Sequence, residues 1–330
     1  MMAKAGILGV GSYLPDKVLT NFDMEKMFDN TSDEWIRTRT GIRERRFAND
    51  NEVTSDLAAK AALKALEDAN LKPEDIDLII VGTNSPDKLF YPATACIVQD
   101  KIGARNAAAF DLQAGCTGWI YATTVAAQFV QSGMYKNVLS IGAEVITRMM
   151  DKEDRYTYVL FGDGAGAAVV GKTDNGGFLG FELFADGSLS KYLEIPGGGT
   201  ALPFSKEVLD KKLHYTTMNG KEVFKFSVRE ISRISNIILK KTGCKVDDVD
   251  WFIPHQANLR IIEAGVGRLG IPMDKVVITI DKFGNSSAAS IPVSLNEIYQ
   301  KGKIEKGDKI LMVSFGAGMT SGAMLLEWSK

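Results

Sequence analysis

Cys116, His255 and Asn285 are the side chains of this sequence best suited to nucleophilic chemistry. Cys116 lies in Gln113-Ala114-Gly115-Cys116-Thr117-Gly118-Trp119, after a strand-like run, Ala107-Ala108-Ala109-Phe110-Asp111-Leu112. A small, apolar, helix-like run from Ile120 to Val130 follows and ends at Gly133. A thiol on a glycine-flanked strand-to-helix turn sits beside unpaired backbone N–H groups and the positive end of a helix dipole, which favour the thiolate. Taken alone, the same turn also suits a small buried core cysteine. His255 follows the apolar Phe252-Ile253-Pro254 and precedes a helix, where a core histidine held by backbone groups is the plainer reading. Asn285, in Phe283-Gly284-Asn285-Ser286-Ser287-Ala288-Ala289-Ser290, has the setting of an N-cap, a role compatible with catalysis. His214, the other histidine, lies in the charged Lys211-Lys212-Leu213-His214-Tyr215 and is expected at the solvated surface.

A weak long-period repeat positions these residues. The segment from Leu63 to Val81 runs helix, Pro/Asp-rich link, apolar strand, and the segment from Ile237 to Ile253 does the same. Phe110-Asp111 through Cys116 and its helix, then 136–143, parallels Ile280-Asp281 through Gly284-Asn285 and its helix, then 308–317. Strands alternating with helices imply mainly parallel sheets covered by helices. The boundary is expected in Lys172-Thr173-Asp174-Asn175-Gly176-Gly177, giving a half 1–173 with the cysteine and a half 174–330 with the histidine and asparagine. Cys116 and Asn285 then occupy equivalent turns, and His255 follows the strand equivalent to the one before Thr83 and Asn84. Chemistry in open α/β sheets gathers outside the carboxyl ends of strands, so a pseudo-twofold axis would bring all three to one cleft.

A chain of 330 residues needs two domains or one large composite core. With 45% apolar and 24% charged residues it has the composition of a soluble globular protein. A net charge of -2 gives no case for nucleic acid or membrane as a partner beyond local patches. Cys96, Cys116 and Cys244 are too few and too scattered for a disulfide framework or a zinc site, which points to the cytoplasm and to no metal. Met1 to Val10 lacks a basic leader and a cleavage site, and Ala5 to Gly11 reads as a first strand. No apolar run reaches the ~20 residues of a membrane span. Phe161-Gly162-Asp163-Gly164-Ala165-Gly166 and Phe315-Gly316-Ala317-Gly318 lack the lysine of a phosphate loop and the acidic residue of a dinucleotide fingerprint, so close backbone packing is their expected role.

Thr31-Ser32-Asp33-Glu34-Trp35-Ile36 with Thr38-Arg39-Thr40-Gly41-Ile42, then Ala114-Gly115-Cys116-Thr117-Gly118, Phe161 to Ala167, Pro254-His255-Gln256-Ala257-Asn258-Leu259-Arg260 and Gly284 to Ser290 follow in order along the whole chain. In these motifs the sequence resembles the β-ketoacyl-[acyl-carrier-protein] synthase III family, which starts bacterial type II fatty acid synthesis. The resemblance implies an α/β, thiolase-like, duplicated α-β-α-β-α five-layered fold, normally as a homodimer. It implies that Cys116 is acylated, that His255 and Asn285 activate the second substrate, and that the backbone N–H groups of Cys116 and Ala317 hold the oxyanion.

The first substrate so implied is an acyl-coenzyme A. Trp35 resembles the residue that stacks on adenine, and Arg39, Arg155 and Asn258 resemble those that meet the nucleotide and its phosphates. Trp35 and Arg39 are four apart, on one face of a helix. Without the resemblance, Arg37, Arg39, Arg43, Arg45 and Arg46 read as a solvated face. The second substrate is malonyl-acyl-carrier protein, met by Gln256, Ala257, Asn258, Leu259, Arg260 and Lys225. Lys221, Lys225, Arg229 and Arg233 recur every four residues opposite Phe224, Val228, Ile231 and Ile238, and suit a docking stripe and a solvated face equally. Phe315 and Tyr91, the latter beside Phe90 and reaching in from the partner subunit, match the acyl pocket. Straight and branched primers both fit, and no cofactor is implied, coenzyme A being substrate and product. The implied reaction is a decarboxylative Claisen condensation. The alternatives are a condensing or acyl-transferring enzyme of secondary metabolism with the same triad, and a scaffold subunit, against which the intact triad argues.

Overall fold

Near-continuous apolar runs such as Leu78–Gly82 and Lys309–Gly316 build two sheets whose inner strands bury side chains on both faces. The computed structural model describes residues 4–330, so Met1 to Ala3 of the leading segment lie outside the described residues. The first sheet holds β1 (Ala5–Tyr13), β2 (Leu78–Gly82), β3 (Ala108–Leu112), β4 (Asn137–Glu144) and β5 (Gly164–Lys172), in the order β1-β5-β4-β2-β3. The second holds β6 (Gly177–Ala185), β7 (Trp251–Pro254), β8 (Lys309–Gly316) and β9 (Thr320–Glu327), in the order β7-β8-β9-β6. β2 runs parallel to β3 and β4, and β7 to β8, while the other pairs are antiparallel. The sheets are therefore mixed, where mainly parallel ones were expected. Only Ala317–Met319 separates β8 from β9, too short a link for the crossover that a parallel neighbour needs.

The helices that build the layers and the site include α1 (Asp33–Thr40), α2 (Thr54–Ala69), α3 (Gly118–Gln131), α4 (Gly220–Thr242), α5 (Leu259–Leu269) and α6 (Ser290–Gln300). β8 shows how they layer. Its Ile310 and Met312 face Trp119 and Ile120 of α3 and Ile291 and Leu295 of α6, which fill the space between the sheets. Its Leu311 and Val313 point the other way, onto Ile231 and Ile234 of α4 and Ile262 and Val266 of α5. On the far side of the first sheet, Leu57, Ala61, Ala65 and Leu66 of α2 pack on Ile79, Val81, Leu139 and Ile141. Helix, sheet, helix, sheet, helix is the five-layered arrangement expected from the sequence.

The internal repeat has a structural counterpart in two matching links. Pro73–Asp75 leads into β2 with the Lys72 N–H bound to Asp75 at 2.8 Å; Val246–Asp248 leads into β7 with the Lys245 N–H bound to Asp248 at 2.8 Å. In each, a carboxylate caps the turn that delivers the chain from an outer helix to a strand.

Leu295 is fully buried in the central layer, whereas Met134 is 64% exposed. Leu295→Ala is expected to lower the unfolding free energy by ~2–5 kcal/mol through the cavity it leaves. Met134→Ala is expected to change it by less than ~0.5 kcal/mol. Denaturant titration of both variants checks the contrast.

Candidate active site

β3 ends at Leu112 and α3 begins at Gly118, so Cys116 sits on the turn that enters the central layer. Two glycines let this turn press against the end of β8. Gly115 has φ +59°, and a Cβ there would lie 2.5 Å from the Ala317 nitrogen; a Cβ on Gly316 would lie 2.3 Å from the Cys116 nitrogen. Neither position can take a side chain without parting the backbones. Hydroxyls fasten the seam: Ser314 Oγ donates to the Cys116 carbonyl at 2.9 Å, and Thr320 Oγ1 to the Ala114 carbonyl at 2.8 Å. The N–H groups of Cys116 and Ala317 lie at this seam, and each lowers the pKa of the Cys116 thiol.

His255 follows β7 and is 1% exposed. Its N–H donates to Val313 O at 2.8 Å, and its ring meets Phe315 edge-on with centroids 5.3 Å apart. Nδ1 lies 2.7 Å from Ser290 Oγ, which also receives the Gln256 N–H at 3.4 Å. The Ser290 hydroxyl has Nδ1 as its bonded acceptor among the described residues, which fits donation by Ser290 and the ring hydrogen on Nε2. Burial pushes the imidazole pKa down to about 3, which keeps the ring neutral. Asn285 is held by its backbone, which donates to Leu160 O at 2.8 Å and accepts the Gly162 N–H at 3.0 Å. Its Oδ1 accepts the Ser287 N–H at 2.8 Å, leaving Nδ2 to donate elsewhere. The glycines around Asp163 thus serve close packing, as expected.

The three side chains, together with Phe315 and Gly316, line one narrow cavity of about 140 Å³. It shares Leu160, Met218 and Asn258 with an outer cavity of about 640 Å³ bordered by Trp35, Arg39 and Arg260. On the other side of Cys116 lies a cavity of about 450 Å³ with Asn84, Ile146, Leu193 and Ala317 in its wall. Cys116 therefore sits between a passage to the surface and a separate chamber. Burial, and next the charge of Glu144, push its thiol up to about 12, against the lowering by the Ser287 hydroxyl and the N–H groups of Cys116 and Ala317. The start of α3 does not outweigh burial here, contrary to the expectation from sequence.

Trp35 and Arg39 share a face of α1, with the Arg39 guanidinium 4.9 Å from the Trp35 ring centre. Arg155 stacks on the same ring at 4.8 Å and on Tyr156 at 4.9 Å, and bonds to Asn30 O. Asn258 ties α5 to α1 by donating to Arg39 O at 2.9 Å, while its Oδ1 caps the Arg260 N–H at 2.9 Å. Ala257 and Leu259 are half-buried beside it, and Arg260 is exposed.

Other expected positions move. Gln256 is 1% exposed, and its amide binds Pro254 O, Val277 O and the N–H groups of Thr279 and Ile280, so nothing of it is left for a docking partner. Lys225 is exposed and paired with Glu222 at 2.8 Å. Arg229 and Arg233 pair with Glu230, which is 1% exposed, so they neutralise a buried carboxylate before they present any charge to a partner. Arg45 is fully buried and donates to Leu19 O, Asn21 Oδ1 and Val159 O, not a solvated charge. His214 is half-buried, with Nδ1 shut away from solvent and its ring 4.1 Å from that of Tyr215. Tyr91 is 85% exposed and lines none of these three cavities.

Ser290, Ser287 and Glu144 escaped the reading from sequence although each contacts the site. The two serines stood inside the Asn285 run, where N-capping explains serine equally well. Glu144 carried a usable signal, a carboxylate ending an otherwise apolar strand.

A cysteine on a strand-to-helix turn, facing a neutral histidine and an asparagine in a tunnel through a five-layered fold, defines a condensing enzyme of the thiolase fold. The family model 3-oxoacyl-[acyl-carrier-protein (ACP)] synthase III matches residues 110–187, and its C-terminal counterpart matches residues 239–328. The β-ketoacyl-[acyl-carrier-protein] synthase III of Caldanaerobacter subterraneus subsp. tengcongensis is 57% identical over 327 residues, 99% of this chain and 98% of that protein. The protein of the same name from Clostridioides difficile is 54% identical over 100% of both chains. The crystal structure of 3-oxoacyl-[acyl-carrier-protein] synthase III from Aquifex aeolicus superposes with a TM-score of 0.91 at 46% identity, covering 98% of this chain and all of that one. The priming β-ketosynthase of the R1128 polyketide pathway superposes with a TM-score of 0.92 at 35% identity, covering 100% of this chain and 97% of that one. The chain belongs to the β-ketoacyl-[acyl-carrier-protein] synthase III family, and is a condensing acyltransferase of fatty acid biosynthesis. The folds superpose equally well, but at 57% and 54% identity the two β-ketoacyl-[acyl-carrier-protein] synthases III named above are nearer in sequence than the polyketide enzyme at 35%, which favours the first of the readings drawn from sequence.

If Ser290 sets the tautomer, ¹⁵N NMR of the His255 imidazole will show the neutral Nε2–H form unchanged down to about pH 5, well above its lowered pKa. Ser290→Ala is expected to mix in the Nδ1–H form. A protonated ring near neutral pH would contradict the assignment.

Proposed function

We propose that this chain condenses an acyl-coenzyme A primer with malonyl-acyl-carrier protein, through an acyl-Cys116 intermediate, to give 3-oxoacyl-carrier protein, coenzyme A and carbon dioxide. The observation that carries this reading is the meeting of Cys116, His255 and Asn285 at the inner end of a passage whose mouth is flanked by Trp35, Arg39 and Arg260.

In the first half-reaction the Cys116 sulfur attacks the thioester carbon of the primer. Negative charge develops on the carbonyl oxygen, and the N–H groups of Cys116 and Ala317, held together at the seam, donate to it. The carbon–sulfur bond to coenzyme A breaks, and coenzyme A leaves with the electron pair and the proton that the Cys116 thiol gave up. The acyl chain occupies the chamber beyond Cys116, whereas Phe315, expected in the acyl pocket, lines the inner passage on the approach side.

In the second half-reaction malonyl thioester takes the place of coenzyme A. Loss of carbon dioxide leaves its electron pair as an enolate, whose oxygen receives hydrogen bonds from Nε2–H of His255 and Nδ2–H of Asn285. A neutral imidazole suits this task because it donates without first having to lose or gain a proton. The carbanion attacks the acyl-cysteine, its carbon–sulfur bond breaks, and the thiolate of Cys116 takes up a proton.

Trp35, Arg39, Arg155 and Asn258 are assigned to the nucleotide end of coenzyme A; Ala257, Leu259 and Arg260 to the carrier protein, with Lys225 as a weaker outer contact. A homodimer is supported by Leu89, Phe90 and Tyr91, which are 58%, 70% and 85% exposed in succession. Tyr91 of a second copy would bound the acyl chamber. The halves 1–173 and 174–330 are assigned as the units of an internal duplication. Among the described residues, no helix is long and apolar enough to cross a membrane, and no group of three or more His, Cys, Asp and Glu side chains converges as a metal site would. The reading places the enzyme in the cytoplasm and gives the reaction no cofactor.

Intact mass after incubation with acetyl-coenzyme A should show one acyl group, absent from Cys116→Ala. His255→Ala and Asn285→Ala should each slow decarboxylation by ~10²–10³ while Cys116 still acylates, the usual cost of losing one such donor. Full-rate condensation by either variant would refute its role. Arg260→Glu should raise KM for malonyl-acyl-carrier protein several-fold and leave acylation by acetyl-coenzyme A unchanged, which steady-state kinetics with each substrate will separate.

A further inference from the structure

Ser287 has no part in these steps, yet its hydroxyl lies 3.4 Å from the Cys116 sulfur. Its backbone φ is +50°, in the left-handed region that residues with a side chain seldom adopt. The bond from its N–H to Asn285 Oδ1 holds that strained turn and leaves the side chain aimed at the sulfur.

The neighbours decide which way the hydroxyl proton points. Asn84 Nδ2 lies 2.8 Å from Glu144 Oε1 and 3.0 Å from Ser287 Oγ. Glu144 also receives the Asn84 N–H at 3.1 Å, the Ser85 N–H at 3.1 Å and the Ser85 hydroxyl at 2.6 Å. Ser85 Oγ in turn accepts the Val145 N–H at 2.9 Å, so its own proton goes to the carboxylate. Ringed by donors, Glu144 accepts only. The Asn84 amide must then present nitrogen to it, with its second hydrogen to Ser287. Ser287 Oγ is the acceptor from Asn84; of the two acceptors near its own proton, the Glu144 carboxylate and the Cys116 sulfur, it is the sulfur that it bonds, at 3.4 Å.

Glu144 is fully buried with no basic side chain bonded to it; burial raises its pKa against the lowering by its donors, and such negative charge as it keeps opposes a thiolate at Cys116. The network therefore cannot help the sulfur by charge. Its favourable effect is the oriented dipole of one hydroxyl.

We propose that Ser287 is a further catalytic residue: its hydroxyl donates to the Cys116 sulfur, stabilising the thiolate that attacks the primer and the thiolate expelled when the acyl–sulfur bond breaks. Asn84 and Glu144 are positioning residues that fix the direction of that donation. The inference rests on Cys116 being the acylated residue.

The test reads the sulfur without any substrate. Carbamidomethylation of Cys116 by iodoacetamide, followed by peptide mass mapping from about pH 6 to 10, is compared in the wild type, Ser287→Ala and Ser287→Gly. Glycine is at ease at φ +50°, so the second variant keeps the fold and removes the strain along with the hydroxyl. The other titratable groups facing the sulfur, Glu144 at the end of β4 and His255 after β7, are the same in all three proteins. Both variants are expected to alkylate about tenfold more slowly at pH 7, with the rate profile displaced to higher pH, as loss of one hydrogen bond to a charged group implies. Condensation kcat is expected to fall with KM for acetyl-coenzyme A unchanged. Profiles that superimpose on the wild type overturn the proposal, and so does a displacement in Ser287→Ala that Ser287→Gly abolishes, since that assigns the effect to backbone strain. Failure of the wild type to gain an acyl group from acetyl-coenzyme A is a separate result, which removes the acyl-cysteine reading and leaves the alkylation comparison standing.

Discussion

The approach of two backbones, at Gly115 and Cys116 on one side and Gly316 and Ala317 on the other, is the contact on which the site depends. With 2.3 to 2.5 Å between an added Cβ and the facing nitrogen, this is a junction that only glycine permits. It joins the entry to α3, delivered by the first sheet, to the exit of β8, the centre of the second. The N–H groups of Cys116 and Ala317 come from opposite sides of that junction, so the oxyanion site proposed for them depends on the stacking of the sheets. Ser314 and Thr320 reinforce it through carbonyls of the nucleophile turn, which leaves the N–H groups unspent. Folding of the central layer and assembly of the site are one event.

Closing the junction buries the chemistry, and burial sets its electrostatics. The thiol is pushed up to about 12, the imidazole down to about 3, and the Asp163 carboxyl, held by the Ala48 and Thr147 N–H groups, up to about 6. Each shift favours the neutral form. For the histidine this is the required state, since an imidazolium beside a carboxylated substrate would oppose departure of carbon dioxide by pairing with it. For the cysteine it is a handicap that fixed dipoles must offset: the N–H groups of Cys116 and Ala317, the start of α3, and the Ser287 hydroxyl. A site that resists standing charge yet is lined by oriented donors stabilises charge chiefly where it develops, on the carbonyl oxygen and on the sulfur.

Much of this was legible in the residues themselves. The Pro/Asp-rich links repeated because the chain twice turns from an outer helix into a strand, and the same cap solves the same problem at Asp75 and Asp248. Cys116 and His255 stood out because cysteine and histidine are scarce and both follow strands, while Asn285 follows a helical turn, Ile280–Phe283, where the repeat led to a strand being expected. What the pattern could not convey was pairing. Arg229 and Arg233 recurred at helical spacing like a solvated stripe, but Glu230, on the apolar side of α4, draws both guanidinium groups toward the core. Gln256 sat among residues facing the passage, yet a single amide with four backbone partners belongs to the interior. The mixed sheet was hidden because strand direction depends on the length of the link after β8, and helix–strand alternation says nothing about that length.

The run from Asn285 to Ser290 carries a further consequence. Asn285 lines the cavity with its amide, Ser287 reaches the Cys116 sulfur, and Ser290 reaches His255 Nδ1, so one short segment at the head of α6 touches every reacting side chain. Helical geometry alone could not do this, because positions two and three apart in an α-helix point roughly 160° and 60° away from each other, given 3.6 residues per turn. The left-handed step at Ser287 breaks that progression. It turns one hydroxyl toward Cys116 while Ser290, already helical, faces His255. A relaxed turn would save backbone strain of about 1–3 kcal/mol and lose the simultaneous reach, which is a physical reason for a non-glycine residue to be held at φ +50° in the middle of the site.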